Sequence, residues 1–327
     1  MSKDNQKQEK LTAAAIEEAL QGRFPSFGDV SPCYQSSEGC HHDVWFVGRN
    51  LILRGLPQPD EESEPSLEKD SAVSKLLRQH LSKPNLVPEV LGRVTIGDWI
   101  CNVEVRVHGT SLEETSPTEA TGDDLVTLLQ DLASVPIEEA RMATKCGEER
   151  EERQNLEELV PEAIEAWGEL MHCKYVEDAE TLVESFLRFQ LSQLSTLQEE
   201  EEYRPVLLHG DISTEHVLID EVQGTVNGII DWSDAMTGDP CVDISGLSLT
   251  VGRVKAIHLS KKTSYSRLTI ERGLLFAMCL VITDIRGTVC GDDEGPEELL
   301  KREFRRAFEG AGVDDVTFSK SFCRMHI

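Results

Sequence analysis

The stretch LLHGDISTEHVLID, residues 207–220, constrains this chain more than any other part of it. Two short runs of Leu, Val and Ile read as strands, and the polar turn between them carries His209, Asp211, Glu215 and His216. A hairpin needs only Gly with Asn or Asp at its turn, so this turn holds more ionisable chemistry than turning requires. The pattern returns downstream, where Asp231 ends an apolar run in GIIDW and GDPCVDIS follows. Two carboxylates at strand ends, with His216 as a third polar group, suit metal-assisted phosphoryl transfer. One acid accepts the proton of an attacking hydroxyl, and the other holds Mg²⁺ against nucleotide phosphates. Such a reaction asks the protein for placement and charge compensation rather than covalent chemistry.

The rest of the chain divides in two by texture. Residues 11–22 put Ile16, Ala19 and Leu20 on one helical stripe. DVWFVG and RNLILRG then form a hairpin signal around Gly48, Arg49 and Asn50. A helix is expected over 66–81, capped by Ser66, and further strands over 87–107. After HGTSL (108–112) the pattern turns helical, with helices expected over 150–173, 180–198, 265–290 and 295–309. The expected architecture is α+β: a mainly β N-terminal lobe, 1–107, and a mainly helical C-terminal lobe, 108–327, with a ligand in the cleft between them.

Bulk properties narrow the partners. A net charge of −28 repels nucleic acid and anionic membrane surfaces and favours cationic ligands. Nine cysteines without a pairing rhythm, and a polar start MSKDNQKQEK, point to a reduced cytoplasmic setting. The apolar run GLLFAMCLVI (273–282) has about half the length of a membrane span and reads as a buried helix. Cys33, Cys40, His41 and His42 lack the paired, repeated spacing of a zinc site.

In order, VWFVGRNLILR, HGTSL, LLHGDISTEHVLID and GIIDWSDAMTGDPCVDIS resemble the aminoglycoside phosphotransferase family, small-molecule kinases with a two-lobed protein-kinase-like fold. The resemblance reaches from about residue 36 to 249. It implies Asp211, with His209 beside it, as the catalytic group for the substrate hydroxyl, and Asp231 with His216 as metal ligands. It implies Asp243 as a brace of the catalytic loop and Arg54 as the strand cation on the phosphates, partnered by Asp70 with Glu68 close behind. Ser37 and Gly39 would cradle phosphate, and Val105 and Val107 would border the nucleotide, ATP or GTP.

Two positions depart from the family's usual pattern. His216 stands where Asn is common, although branches resembling macrolide kinases also carry His; Mg²⁺ prefers oxygen ligands. Arg54 replaces the commoner Lys and keeps the charge while adding a bidentate fork. Glu215, Asp234, Glu271 and Asp284 would make an acidic pocket for a hydroxylated cationic substrate, most simply an aminoglycoside. Alternatives are a macrolide kinase, a kinase for choline, hydroxylysine or homoserine, and a nucleotide-binding pseudokinase. A monomer is expected.

Overall fold

The computed structural model describes residues 10–36, 43–57, 63–145, 153–178, 181–197, 203–291, 296–313 and 316–319. The N-terminal part runs α1 (Ala13–Leu20), β1 (Cys33–Gln35), β2 (Asp43–Val47), β3 (Leu51–Pro57), α2 (Ser63–His80), β4 (Val90–Ile96) and β5 (Trp99–Val105). Its strands form one antiparallel sheet in the order β1-β2-β3-β5-β4. Alternation along β3 gives this sheet two unlike faces. Leu51 and Leu53, with Val103 and Cys101, pack on Ile16 and Leu20 of α1. Arg54 pairs across to Asn102 on the other face, where Asn102 Nδ2 donates to the Leu67 carbonyl of α2 at 2.9 Å.

Helix α2 begins at Ser63, so Ser66 sits inside the first turn rather than capping it. Pro65 falls in that same turn, where a missing N–H costs nothing. Val73, Leu76 and Leu77 of α2 join the helical core of the following region. This helix therefore ties the sheet to what comes after it.

That region contains β6 (Thr110–Ser111), α3 (Glu119–Ser134), α4 (Ile137–Thr144), α5 (Leu156–His172), β7 (Val176–Glu177) and α6 (Leu182–Leu194). It continues with β8 (Val206–Leu208), β9 (Val217–Ile219), β10 (Val226–Ile229), β11 (Met236–Gly238), α7 (Cys241–Val251), α8 (Arg253–Ser260), α9 (Arg267–Cys290), α10 (Glu297–Ala307) and β12 (Thr317–Phe318). The strands flanking the polar turn are not partners. β8 pairs with β11, while β9 lies between β10 and β6. The turn at 209–216 thus crosses from one ribbon to another instead of closing a hairpin.

Among the described residues, α9 is the one helix long and apolar enough to cross a bilayer, longer than the run 273–282 suggested. Its Leu275, Met278, Ile282 and Ile285 are buried in one cluster with Trp167 and Leu170 of α5 and Phe304 of α10. Packing inside the protein accounts for its composition.

Candidate active site

The loop after β8 is held from below by α7. Gly210 adopts φ +88°, and a Cβ there would lie 2.5 Å from the Asp234 carbonyl oxygen, so the position accepts only glycine. Asp243, buried in the first turn of α7, accepts the backbone N–H groups of His209 at 2.9 Å and Gly210 at 3.0 Å. Burial raises its carboxyl to about 6, against the pull of those two N–H groups. One turn on, Gly246 lets the helix approach the loop: a Cβ there would meet the Ile212 carbonyl oxygen at 2.5 Å.

His209, expected beside Asp211 as a catalytic group, has both ring nitrogens engaged by backbone. Nδ1 accepts the Asp211 N–H at 3.2 Å, and Nε2 donates to the Ile230 carbonyl at 3.1 Å. Its ring sits 4.4 Å from that of Trp232. Burial, with His216 nearby, pushes its pKa down to about 3, so the ring is neutral. Asp211 itself presents an accessible carboxylate beyond this brace. Burial raises its pKa, His216 opposes that, and Asp234 and Asp231 add to it.

Asp231 follows β10 in the left-handed region at φ +61°, a conformation Asp tolerates better than most residues. Its Oδ1 accepts from Arg54 Nη2 and from Ser233 Oγ, both at 2.8 Å. Its Oδ2 lies 3.9 Å from His216 Nε2. His216 Nδ1 is 2.9 Å from the Asp211 carbonyl oxygen and 3.4 Å from Asp211 Oδ2. His216 therefore lies between Asp211 and Asp231, one ring nitrogen facing each carboxylate, and Arg54 reaches Asp231 from the sheet.

Arg54 is also 3.7 Å from Asp70. Glu68 turns instead to Lys145 at 2.7 Å and Arg93 at 3.7 Å, so the helix partner of Arg54 is Asp70. Burial works against the Arg54 charge, but Glu104, Asp231 and Asp70 hold its pKa above the ordinary value. Burial in turn raises Asp70, and it lifts Glu104 to about 7. Glu104 was not anticipated from sequence. Its signal was a carboxylate on the same strand face as Asn102, the residue opposite Arg54. Lys69 closes the arrangement, donating to the Ser233 carbonyl at 2.6 Å.

Among the described residues, no group of three or more His, Cys, Asp or Glu could hold a metal alone. That suits Mg²⁺, which typically takes one or two carboxylates and fills its octahedron with phosphate oxygens and water. Asp231 is the carboxylate donor that fits this description. His216 Nε2 faces the same oxygen of Asp231 but offers nitrogen, a poorer ligand for a hard ion.

Around Glu303 the structure gathers some of the acids expected for a substrate pocket. Asp284 of α9 and Glu215 act electrostatically on Glu303 of α10, as does Asp211. Glu303 is only 7% exposed, and burial followed by Asp284 raises its pKa to about 7, with Arg306 pulling the other way. Sequence reasoning missed Glu303. Its position between Leu299 and Ala307, one turn from each on a buried stripe, was the available sign. Asp234 is exposed and close enough to raise Asp211. Glu271 is not brought to this group: it precedes Asp284 by roughly 20 Å along α9 and has Arg267 and Arg253 for charge neighbours. Val105 ends β5 opposite Leu51, and Val107 packs against Gly228 of β10, at the seam between the sheet and the Asp231 ribbon. Ser37 and Gly39, and with them Cys40, His41 and His42, lie outside the described residues.

An antiparallel sheet with a bridging helix, followed by a helical region that presents an HGD loop and a strand-end aspartate, defines a phosphotransferase with a protein-kinase-like fold. Residues 35–258 match the phosphotransferase enzyme family, and the chain belongs to it. Among solved structures it is similar to a GDP complex of aminoglycoside 2'-phosphotransferase-IIIa, with TM-score 0.62, 19% identity, and 92% of this chain and 99% of that one covered. It is also similar to ADP-bound APH(2'')-Ib, at TM-score 0.55 and 16% identity over 91% of this chain and 97% of that one. A thermostable mutant of APH(4)-Ia in ternary complex with ADP and hygromycin B aligns at TM-score 0.53 and 21% identity, covering 91% and 99%. No curated protein sequence matches the chain significantly.

Proposed function

We propose that this protein transfers the γ-phosphoryl group of ATP or GTP, with Mg²⁺, to a hydroxyl of a cationic small molecule of aminoglycoside type, in the cytoplasm. The observation that carries the reading is His216 set between Asp211, 3.4 Å away, and Asp231, 3.9 Å away, with Arg54 bonded to Asp231 at 2.8 Å. Asp211 receives the proton of the acceptor hydroxyl, and its raised pKa makes it a better base. His209 is a positioning residue: its neutral ring fixes the backbone of Asp211. Asp231 holds the metal, and Arg54, kept charged by Asp70 and Glu104, takes the α- and β-phosphates in the manner of the kinase strand cation. When bound, Mg²⁺ would neutralise charge on the nucleotide's phosphates. The nucleotide lobe is taken as the residues up to 107 and the catalytic lobe as those from 108 onward.

The acids around Glu303 support a polycationic acceptor over the more apolar pocket a macrolide would need. The neighbours' complexes with kanamycin and hygromycin B point the same way. The deciding experiment incubates the protein with Mg-ATP or Mg-GTP and a panel of aminoglycosides, macrolides, choline, hydroxylysine and homoserine, and measures nucleoside diphosphate release. Turnover with aminoglycosides is expected. Release with none of them, but with one of the small amines, would move the substrate assignment and leave the kinase reading intact. Nucleotide binding without transfer to any acceptor would leave a pseudokinase.

A further inference from the structure

Alternation along β3 and β5 places Ile52, Arg54, Asn102 and Glu104 on the face of the sheet turned away from α1. Asn102 lies opposite Arg54, and Glu104 lies opposite Ile52. Glu104 therefore stands one same-face step, roughly 7 Å, from the register of Arg54 in the direction of Val105 and Val107. Half-buried apolar side chains continue this face, with Ile52 paired to Phe46 of β2. On the adjoining ribbon Val107 packs against Gly228, whose strand partner is Leu218 of β9.

Glu104 is 6% exposed, yet among the described residues no hydrogen bond or ion pair reaches its carboxyl. Arg54, Asp70 and Asp231 act on it electrostatically, at longer range. Asn102, its neighbour on the same face of β5, is by contrast engaged with the Leu67 carbonyl. A buried carboxylate without a donor is unfavourable, and a ligand that brings N–H groups removes that penalty. With phosphates on Arg54, a nucleotide extends its base toward Val105 and Val107, and the 6-substituent of the purine passes Glu104. Adenine offers an amine donor there, whereas guanine offers a carbonyl acceptor beside its N7 acceptor. A carboxylate only accepts, so it bonds the first and repels the second.

We propose that Glu104 reads the base of the phosphoryl donor, accepting a hydrogen bond from the 6-amino group of adenine and excluding guanine, so that the protein uses ATP rather than GTP. The inference rests on the phosphotransfer function above and decides the donor which that function leaves open. Arg106 is the rival polar group on this face. Its guanidinium lies 4.4 Å over the centre of the Phe46 ring and would favour the paired acceptors of guanine. It stands one same-face step farther from Arg54 than Glu104 does, past the end of β5.

The test titrates the full chain with Mg²⁺ and the triphosphates of adenosine, guanosine, inosine and 2,6-diaminopurine riboside, without acceptor, by calorimetry. It is run at about pH 8, where a carboxyl raised to about 7 is ionised. ATP should bind about tenfold or more tightly than GTP, the scale of one base-edge contact. Inosine triphosphate, with the 6-carbonyl but no 2-amino group, should be rejected like GTP. The diaminopurine nucleotide, with an amine at both positions, should be accepted like ATP. Glu104→Gln supplies an amide that both donates and accepts, and should bring ATP and GTP within about threefold of each other. A role confined to supporting Arg54 would weaken both nucleotides alike and leave their ratio unchanged. Should that variant not fold, the four nucleotides on the wild-type chain decide the matter. GTP bound as tightly as ATP, inosine triphosphate bound like ATP, or a ratio unmoved by Glu104→Gln overturns this inference and leaves the phosphotransfer reading in place. Binding of no nucleotide overturns both.

Discussion

Two buried carboxylates, Glu104 in the sheet and Glu303 in α10, have pKa values raised to about 7 by burial, yet they sit in opposite company. Glu104 shares its space with Arg54, and so do Asp70 and Asp231. That group carries its own cation, hydrogen-bonded to Asp231 and kept charged by all three acids. Glu303 has Asp284, Glu215 and Asp211 around it, with Arg306 as the opposing charge. Of the groups that act on Glu303, three are acids and one is a cation, and on the proposed function this suits an incoming ammonium. On the proposed function, the acids that hold a cation belong to the nucleotide side and those around Glu303 to the acceptor side.

The sharpest break in this comparison comes from the group standing between the two sides. Asp211→Asn removes the base and is expected to lower kcat by about 10³-fold or more. Nucleotide affinity and thermal midpoint should stay close to wild type, since Asp243 and His209 hold the loop through backbone groups. Single-turnover kinetics alongside nucleotide titration reads both quantities.

Next in size is Arg54→Ala, which strips the nucleotide side of its cation. Leaving Asp70 and Glu104 buried without it should cost about 3–5 kcal/mol by denaturant titration. The loss should shrink at acidic pH, where those carboxyls protonate and no longer need a counter-charge. A loss that did not vary with pH would mean the acids are not what Arg54 answers.

Glu303→Gln tests the acceptor side. For a polyammonium acceptor, KM should rise about tenfold, on the scale of one charge-assisted hydrogen bond. kcat should change less, and choline-sized acceptors should be less affected. The same variant carries a stability signature. Because the folded pKa of about 7 exceeds the ordinary value of 4.5, the native state binds the extra proton between those limits. Stability then falls as pH rises through that window, by at most about 3 kcal/mol. Glu303→Gln should flatten that slope.

The smallest effect is expected at His216→Asn. An amide oxygen suits Mg²⁺ better than imidazole does, so activity should hold within about tenfold and can rise. Collapse of activity with intact nucleotide binding would assign the imidazole a task at Asp211, 3.4 Å away, rather than at the metal.

Much of the candidate site was legible in sequence because it lies on short, contiguous segments whose polar residues interrupt apolar strands. Asp211, His216 and Asp231 fall within a few dozen residues, and the structure brings all three together. Arg54 was legible through the family resemblance, as the cation ending a run of Leu and Ile, and so was the presence of a helix acid beside it, Asp70 with Glu68 close behind. Glu104 and Glu303 were not, since a charge in a strand or on a helix looks solvated until its neighbours are known. Glu271 erred in the other direction. It shares a helix with Asp284, but three and a half turns separate them, and proximity in sequence became distance in space.

The order of strand, turn and strand, the alternation that gives β3 two faces, and the glycine at 210 are local matters, settled by backbone sterics and by which side chains avoid water. The choice between Asp70 and Glu68 as the partner of Arg54 was tertiary, decided when α2 docked on the sheet and turned one acid inward and the other toward Lys145. Separating β8 from β9 was tertiary too, since each strand found a better partner elsewhere. Charge at a distance, unlike hydrogen bonding along the chain, depends on burial and on neighbours that only folding assembles. For that reason the company kept by Glu104 and by Glu303 could be seen only in three dimensions.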